Sequence, residues 1–344
     1  MFPFPLARLY RGVLCLSVVA AVVLPLTAAR PAVPAPAPAA LAAPAAGTLA
    51  TRYAANRADI LRAAREAADA GDAGRAARLR RMAASGRQFL TFDGRGGGRV
   101  AEVLGDLAHA RRVAVLVPGA DTDLDTYDSL DGTPSAPSPG SPRPNASRAD
   151  HRSLGGGALE LRRELCRQAP ASEVAVVTWL GYDTPRLKSL SILSDARARR
   201  AAKSLRGFVG TMHQIVPGAR VSLLCHSYGS VVCGRAAAGL DVSSIALFSS
   251  PGVDTRNLAA LHTHAMVWVG RGAQDWIGHI PHLNITLPGG DSIGFGNDPL
   301  DPRFGAHPFA AGGGGHSDCF APGSPALRNL ARIALGRPPA APRA

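Results

Sequence analysis

Five residues, Cys225-His-Ser-Tyr-Gly229, stand between two segments of different character. Val221–Leu224 is an apolar run of strand length, and Val231–Leu240 carries alanines and spaced apolar residues as a helix does. A serine on a tight strand-to-helix turn has its hydroxyl pushed out of the fold, and the helix start behind it supplies backbone N–H donors. Ser227 thus reads as a nucleophile, with the Tyr228 N–H as half of an oxyanion hole. The motif departs from the common G-x-S-x-G at Cys225, a position where strand and helix backbones approach and only a small side chain is tolerated.

A serine hydroxyl is a poor nucleophile until an imidazole takes its proton, and that imidazole must be oriented by a carboxylate. Behind an elbow of this kind the order is serine, acid, histidine, each at or beyond the end of a later strand. Asp275 follows the apolar run Met266–Val269, and His316 lies in a loop before the last helix, where the run Gly312–Gly315 lets the chain bend. Asp254, which ends the preceding strand, is the alternative acid. His262, His264, His279, His282 and His307 are the alternative bases, and Asp318 is too near His316 in sequence to be needed. His226, beside the nucleophile, reads as support for the turn. The second oxyanion donor is expected from Pro118-Gly-Ala-Asp121, after the apolar run Val113–Val117, with Ala120 or Asp121 giving the N–H.

The elements that must position these groups alternate. Strand-like runs at 113–117, 174–178, 221–224, 244–248 and 266–269 are separated by helical patterns at 156–168, 194–215 and 231–240, and a last helix covers 325–335. That order predicts an α/β fold, a mostly parallel sheet with helices on both faces. Residues 51–85 read as a helical hairpin appended at the N-terminus, and 89–92 with 99–104 as two strands around a glycine turn that lacks the context of a phosphate loop. Trp179-Leu-Gly-Tyr-Asp183 follows a strand at the sheet edge where ligands bind, which makes Tyr182 a candidate substrate-binding residue; ordinary packing is the alternative.

The formal charge of +13 comes almost wholly from arginine, since Lys188 and Lys203 are the only lysines. These arginines are scattered without interleaved aromatics, which argues against nucleic-acid binding but allows loose contact with a membrane or cell wall. Residues 1–29 read as a cleaved export signal, with Arg8 and Arg11 before a short apolar run; an uncleaved anchor is the rival. Residues 30–50 form a Pro/Ala-rich linker, 51–87 the helical extension, 88–337 the main domain and 338–344 a tail. Asp131–Arg148 is a Pro/Ser-rich insertion expected near the mouth of the site. After export Cys166, Cys225, Cys233 and Cys319 remain, with three pairings open. Cys225 and Cys233 flank the elbow and could staple strand to helix.

Several stretches together resemble an α/β-hydrolase family common in high-GC bacteria: 113–127 (VAVLVPGADTDLDTY), 179–185 (WLGYDTP), 226–230 (HSYGS), 301–305 (DPRFG), 316–320 (HSDCF) and 324–336. The resemblance covers about Thr51 to Gly336 and implies an α/β-hydrolase fold with Ser227, Asp275 and His316 at the catalytic positions, without an assigned substrate. The expected function is an exported serine hydrolase acting on small-molecule or lipid carboxylic esters, with no metal and no organic cofactor. Acyl transfer to an alcohol uses the same residues, and a non-catalytic binding protein of the same fold is the remaining alternative.

Overall fold

A computed structural model describes residues 35–129, 150–171, 173–189, 195–280, 282, 284–286 and 292–342. The export signal and the Asp131–Arg148 insertion lie outside the described residues. So do the first residues of the linker and the last two of the tail.

The N-terminal part holds helices α1 (Leu49–Asp69) and α2 (Ala73–Met82), then strands β1 (Gln88–Asp93) and β2 (Arg99–Leu104). The central part follows as β3 (Arg112–Val117), α3 (Leu154–Gln168), β4 (Val174–Thr178), α4 (Asp195–Ile215), β5 (Arg220–His226), α5 (Tyr228–Ala236), β6 (Ser244–Phe248) and β7 (Met266–Gly270). Short strands β8 (Asn284–Thr286), β9 (Ser292–Gly294) and β10 (His307–Pro308) precede α6 (Pro325–Ala334).

One eight-stranded sheet has the order β1-β2-β4-β3-β5-β6-β7-β10. β3, β4, β5, β6, β7 and β10 run parallel, and the β1–β2 hairpin joins antiparallel through β2 on β4. Side chains alternate between two cores, as the two-residue period of a strand demands. Val113, Val115, Val117, Val221 and Leu223 face α4 and α5, whereas Ala114, Leu116 and Leu224 face α1, α2, α3 and α6. From β3 the chain goes to β4 on one side and returns to β5 on the other. The strand order therefore reverses at β3, and ligands bind outside the carboxyl ends of the strands at such a switch point.

Helix ends follow their residues. Asp72, Ser153 and Ser324 each accept an N–H of the first turn of α2, α3 and α6, and Pro325 opens α6, where a missing N–H costs nothing. α5 departs from the reading of 231–240. It starts three residues earlier, directly behind Ser227, and ends before the turn at Gly239, whose φ is 74°. The described residues of the linker touch the N-terminal helices and the second core. Ala39 N–H donates to Asp59 Oδ2 (3.0 Å) and Ala35 packs against the second core, because alanine's short side chain lets this segment lie along α1.

Candidate active site

β5 delivers the chain to the elbow, and Ser227 turns it with φ 51° and ψ −125°, a conformation few non-glycine residues adopt. The turn is tied down from several sides. Ser227 N–H donates to Phe248 O (3.1 Å), Ser230 N–H to Ser227 O (2.8 Å) and Ser230 Oγ to Cys225 O (3.0 Å). Two glycines permit the close approach. A Cβ on Gly229 would sit 2.6 Å from the carbonyl oxygens of Val117 and Pro118, and one on Gly119 would sit 2.7 Å from Ser227 Cβ. At the position where glycine is usual, Cys225 forms a disulfide with Cys233, so strand and helix are joined covalently inside the core. Cys166 and Cys319 are free thiols.

His316 lies across from this turn. Its Nε2 is 2.9 Å from Ser227 Oγ and its Nδ1 is 2.8 Å from Asp275 Oδ1. A carboxylate only accepts, so Nδ1 carries the proton and Nε2 is left to accept from the serine hydroxyl. The loops bearing Asp275 and His316 touch directly. Ala273 N–H donates to Gly312 O (2.9 Å), and a Cβ on Gly272 would lie 1.9 Å from Gly314 O. Asp275 caps a short 3-10 turn, Trp276–His279, by accepting the Ile277 N–H (3.0 Å). Burial pushes its carboxyl up, but the His316, Ser249 and Ile277 groups around it outweigh that and hold it below the usual carboxylate range.

The alternatives sit elsewhere. Asp254 is ion-paired to Arg235 of α5, His262, His264, His279 and His307 are exposed, and His282 bonds to Pro251 O (2.8 Å). Of the two candidate oxyanion donors after β3, Asp121 must be struck out, because its N–H donates to Pro185 O at 2.9 Å. No described residue accepts from the Ala120 N–H, and Tyr228 opens α5, in the turn whose N–H groups lie outside the helical ladder.

Tyr182 also needs correction as a substrate-binding residue. It is buried, stacks on Trp179 and Tyr228 (centroids 5.8 and 6.4 Å), and its hydroxyl donates to Pro118 O at 2.6 Å. Together with Thr184, which exchanges hydrogen bonds with Thr122 N–H (3.1 Å) and Thr122 O (2.7 Å), it makes the 179–185 segment a backing for the loop at 118–122. Paired loops after neighbouring strands were the available signal, but nothing in the residue types said which way Tyr182 points. Trp276, not singled out from the sequence, borders the candidate site. It is exposed, and its ring stands 4.7 Å from the His316 ring.

Beside the Ser227 turn a cleft of about 410 Å³, counted to its open mouth, runs between α3 and the 317–320 segment. Leu116, Leu154, Phe248 and Phe320 make its apolar walls, and Gly119 and His226 line it next to the elbow. Among the described residues no group of His, Cys, Asp and Glu is placed to hold a metal ion.

His226 holds the His316 loop, because its Nε2 donates to the His316 carbonyl at 2.9 Å. Burial, with His316 nearby, pushes its pKa down to about 4. An unfolded histidine takes its proton near 6.5, so between about pH 4 and 6.5 the unfolded chain binds more protons and stability rises with pH, by at most about 3 kcal/mol. Above that window this contribution is flat. Urea midpoints measured from pH 4 to 8 should show the slope, and His226→Gln should flatten it; an equally steep slope in the variant would remove His226 as its source.

A family model described as alpha/beta hydrolase matches residues 93–285. An uncharacterized protein of Mycobacterium tuberculosis H37Rv, Rv2079, is 29% identical over 270 residues, covering 70% of this chain and 37% of that protein. Another from the same strain, Rv0963c, is 33% identical over 137 residues, covering 37% of this chain and 46% of that protein. The chain thus spans less than half the length of these curated relatives. Among solved structures, esterase PE8 aligns at 16% identity with a TM-score of 0.41, over 68% of this chain and 96% of that one. A serine hydrolase without a lid from Xanthomonas campestris aligns at 15% with a TM-score of 0.40, over 75% and 98%. By the family match over residues 93–285 and the parallel sheet that carries it, the chain belongs to the alpha/beta hydrolase family.

Proposed function

We propose that the protein is an exported serine hydrolase that cleaves carboxylic esters through an acyl-enzyme. The observation that carries this reading is the unbroken hydrogen-bonded chain from Ser227 Oγ through His316 (2.9 and 2.8 Å) to the buried Asp275 carboxylate. Ser227 Oγ attacks the acyl carbon as His316 Nε2 takes its proton, and Asp275 stabilises the imidazolium that forms. The N–H groups of Tyr228 and Ala120 receive the negative charge that develops on the carbonyl oxygen. His316 then hands its proton to the departing alcohol. A water molecule repeats the sequence on the acyl-serine, releasing the acid and restoring the serine hydroxyl.

Export is supported by the basic and apolar N-terminal sequence and by a disulfide inside the core, a bond that persists in oxidising compartments. No helix among the described residues is long and apolar enough to cross a membrane. The substrate is a small-molecule or lipid ester, consistent with the apolar cleft walls, and basic surface charge favours loose contact with anionic envelope surfaces.

The test is a panel of p-nitrophenyl esters, on which the protein should turn over with release of the carboxylic acid. Adding glycerol separates hydrolysis from acyl transfer, since a transferase would divert most of the acyl group to the glycerol ester. A protein that neither turns over any ester nor reacts with a fluorophosphonate would be a binding protein on a hydrolase fold.

A further inference from the structure

The chemistry above uses one oxygen of Asp275. Oδ1 receives both the His316 Nδ1–H (2.8 Å) and the Ile277 N–H (3.0 Å), while Oδ2 is buried and has no partner at normal hydrogen-bond distance. An uncompensated carboxylate oxygen in a dry site is expensive. Ser249 is among the groups that keep the acid charged after burial has pushed it the other way.

Ser249 is placed with unusual care for a residue outside the reaction. It follows β6, is fully buried, and is held at φ 51° while its N–H donates to Gly270 O (3.0 Å) at the end of β7. A serine gains nothing from that conformation by itself, so the surroundings impose it. The Ser249 Oγ is 3.3 Å from the Sγ of Cys319. Cys319 lies three residues beyond His316 and is also buried, and burial pushes its thiol up to about 12, so it stays protonated and can donate.

We propose that Ser249 is a positioning residue for Asp275: its hydroxyl donates to Oδ2, and the Cys319 thiol, donating to Ser249 Oγ, turns the hydroxyl that way. The donors then run Cys319 S–H to Ser249 Oγ and Ser249 O–H to the carboxylate, which fixes the plane of the acid and so the axis of the imidazole. A buried free thiol next to the base thereby gains a function that no disulfide could supply. The other titratable groups near this carboxylate do not replace it. His316 is bonded to Oδ1, His226 is neutral and turned to the His316 carbonyl, and Asp318 accepts the Gly315 N–H.

The assignment rests on Ser227, His316 and Asp275 acting as a unit, and its test keeps the two apart. With p-nitrophenyl acetate, Ser249→Ala should lower kcat by about tenfold at unchanged KM, as expected for loss of one hydrogen bond to a charge. The acid limb of the kcat profile should move to higher pH by about half a unit, because removing a donor destabilises the free carboxylate more than the carboxylate paired with an imidazolium. Ser249→Gly removes the same hydroxyl while suiting the positive φ, so it should show the same shift even if the alanine variant fails to fold. Cys319→Ala should give a smaller loss, most of which Cys319→Ser should recover. Folded Ser249→Ala or Ser249→Gly protein with kcat within twofold of wild type and an unmoved acid limb would overturn the proposal. His316→Ala is run alongside: if it stays active, the triad reading itself has failed, whereas an inactive His316→Ala beside wild-type-like Ser249 variants rejects the positioning role alone.

Discussion

Replacing Ser227 by alanine should lower kcat by about 10⁶-fold and abolish labelling by a fluorophosphonate, while the protein keeps its fold. The change removes one oxygen from a small side chain, and the backbone bonds that hold the elbow, from Ser227 N–H to Phe248 O and from Ser230 N–H to Ser227 O, do not involve it. What disappears is the atom that forms the acyl bond. His316→Ala should cost about as much, since a hydroxyl without its base stays protonated at neutral pH. The double variant should be scarcely worse than either single one, because the two residues act through one proton transfer. A small residual rate over water is expected from the oxyanion donors and substrate binding alone. Steady-state kinetics on p-nitrophenyl acetate, with thermal melts to confirm folding, measure all of this. A Ser227→Ala protein that still turns over the ester at near the native rate would move the chemistry to another residue.

Asp275→Asn should lower kcat by about 10⁴-fold with little change in KM. Asparagine keeps the shape and can still accept the Ile277 N–H through its oxygen, so the 3-10 turn at Trp276–His279 should survive. It carries no charge to stabilise the imidazolium, and its amide can favour the imidazole tautomer with the proton on Nε2, which cannot accept from the serine. Asp254→Asn is the control that separates the two acids. The Asp254 side chain is buried and ion-paired to Arg235, so removing its charge should lower the melting temperature and leave kcat within a few-fold of native. The reverse outcome, a large loss at 254 and little at 275, would assign the acid to the end of β6 instead of the loop after β7.

Much of the fold was legible because parallel strands buried on both faces have to be short apolar runs, and those at 113–117, 174–178, 244–248 and 266–269 became β3, β4, β6 and β7 nearly residue for residue. The elbow was legible for a similar reason, since a strand, a Ser-Tyr-Gly turn and a helix follow one another without a gap. β8, β9 and β10 were not. Two or three residues carry too little periodicity to separate a strand from a glycine-rich loop, and β10 exists only because it can pair with β7. The start of α5 was placed late because helix pattern was sought in apolar spacing, whereas the helix begins on the polar turn itself.

The order of serine, acid and histidine along the chain narrowed the candidate site to a few residues, because strand ends on one side of a parallel sheet are the places where loops can meet. Which of them meet was decided in three dimensions. Asp254 and Asp275 both follow strands, and only the close approach of Gly272 to Gly314 explains why the second one reaches His316. The same holds for the cysteines, among which composition allowed three pairings and the packing of α5 on β5 selected Cys225 with Cys233. Tyr182 and Ser249 show the limit most plainly. By itself the amino-acid sequence determined the sheet, the elbow and the chemical types available at its rim, because those depend on local propensity and a short period. Side-chain direction depends on contacts between segments tens of residues apart. Only the folded chain could decide that Tyr182 turns inward to Pro118, that Asp121 spends its N–H on Pro185, and that Ser249 meets Cys319 beside the base loop.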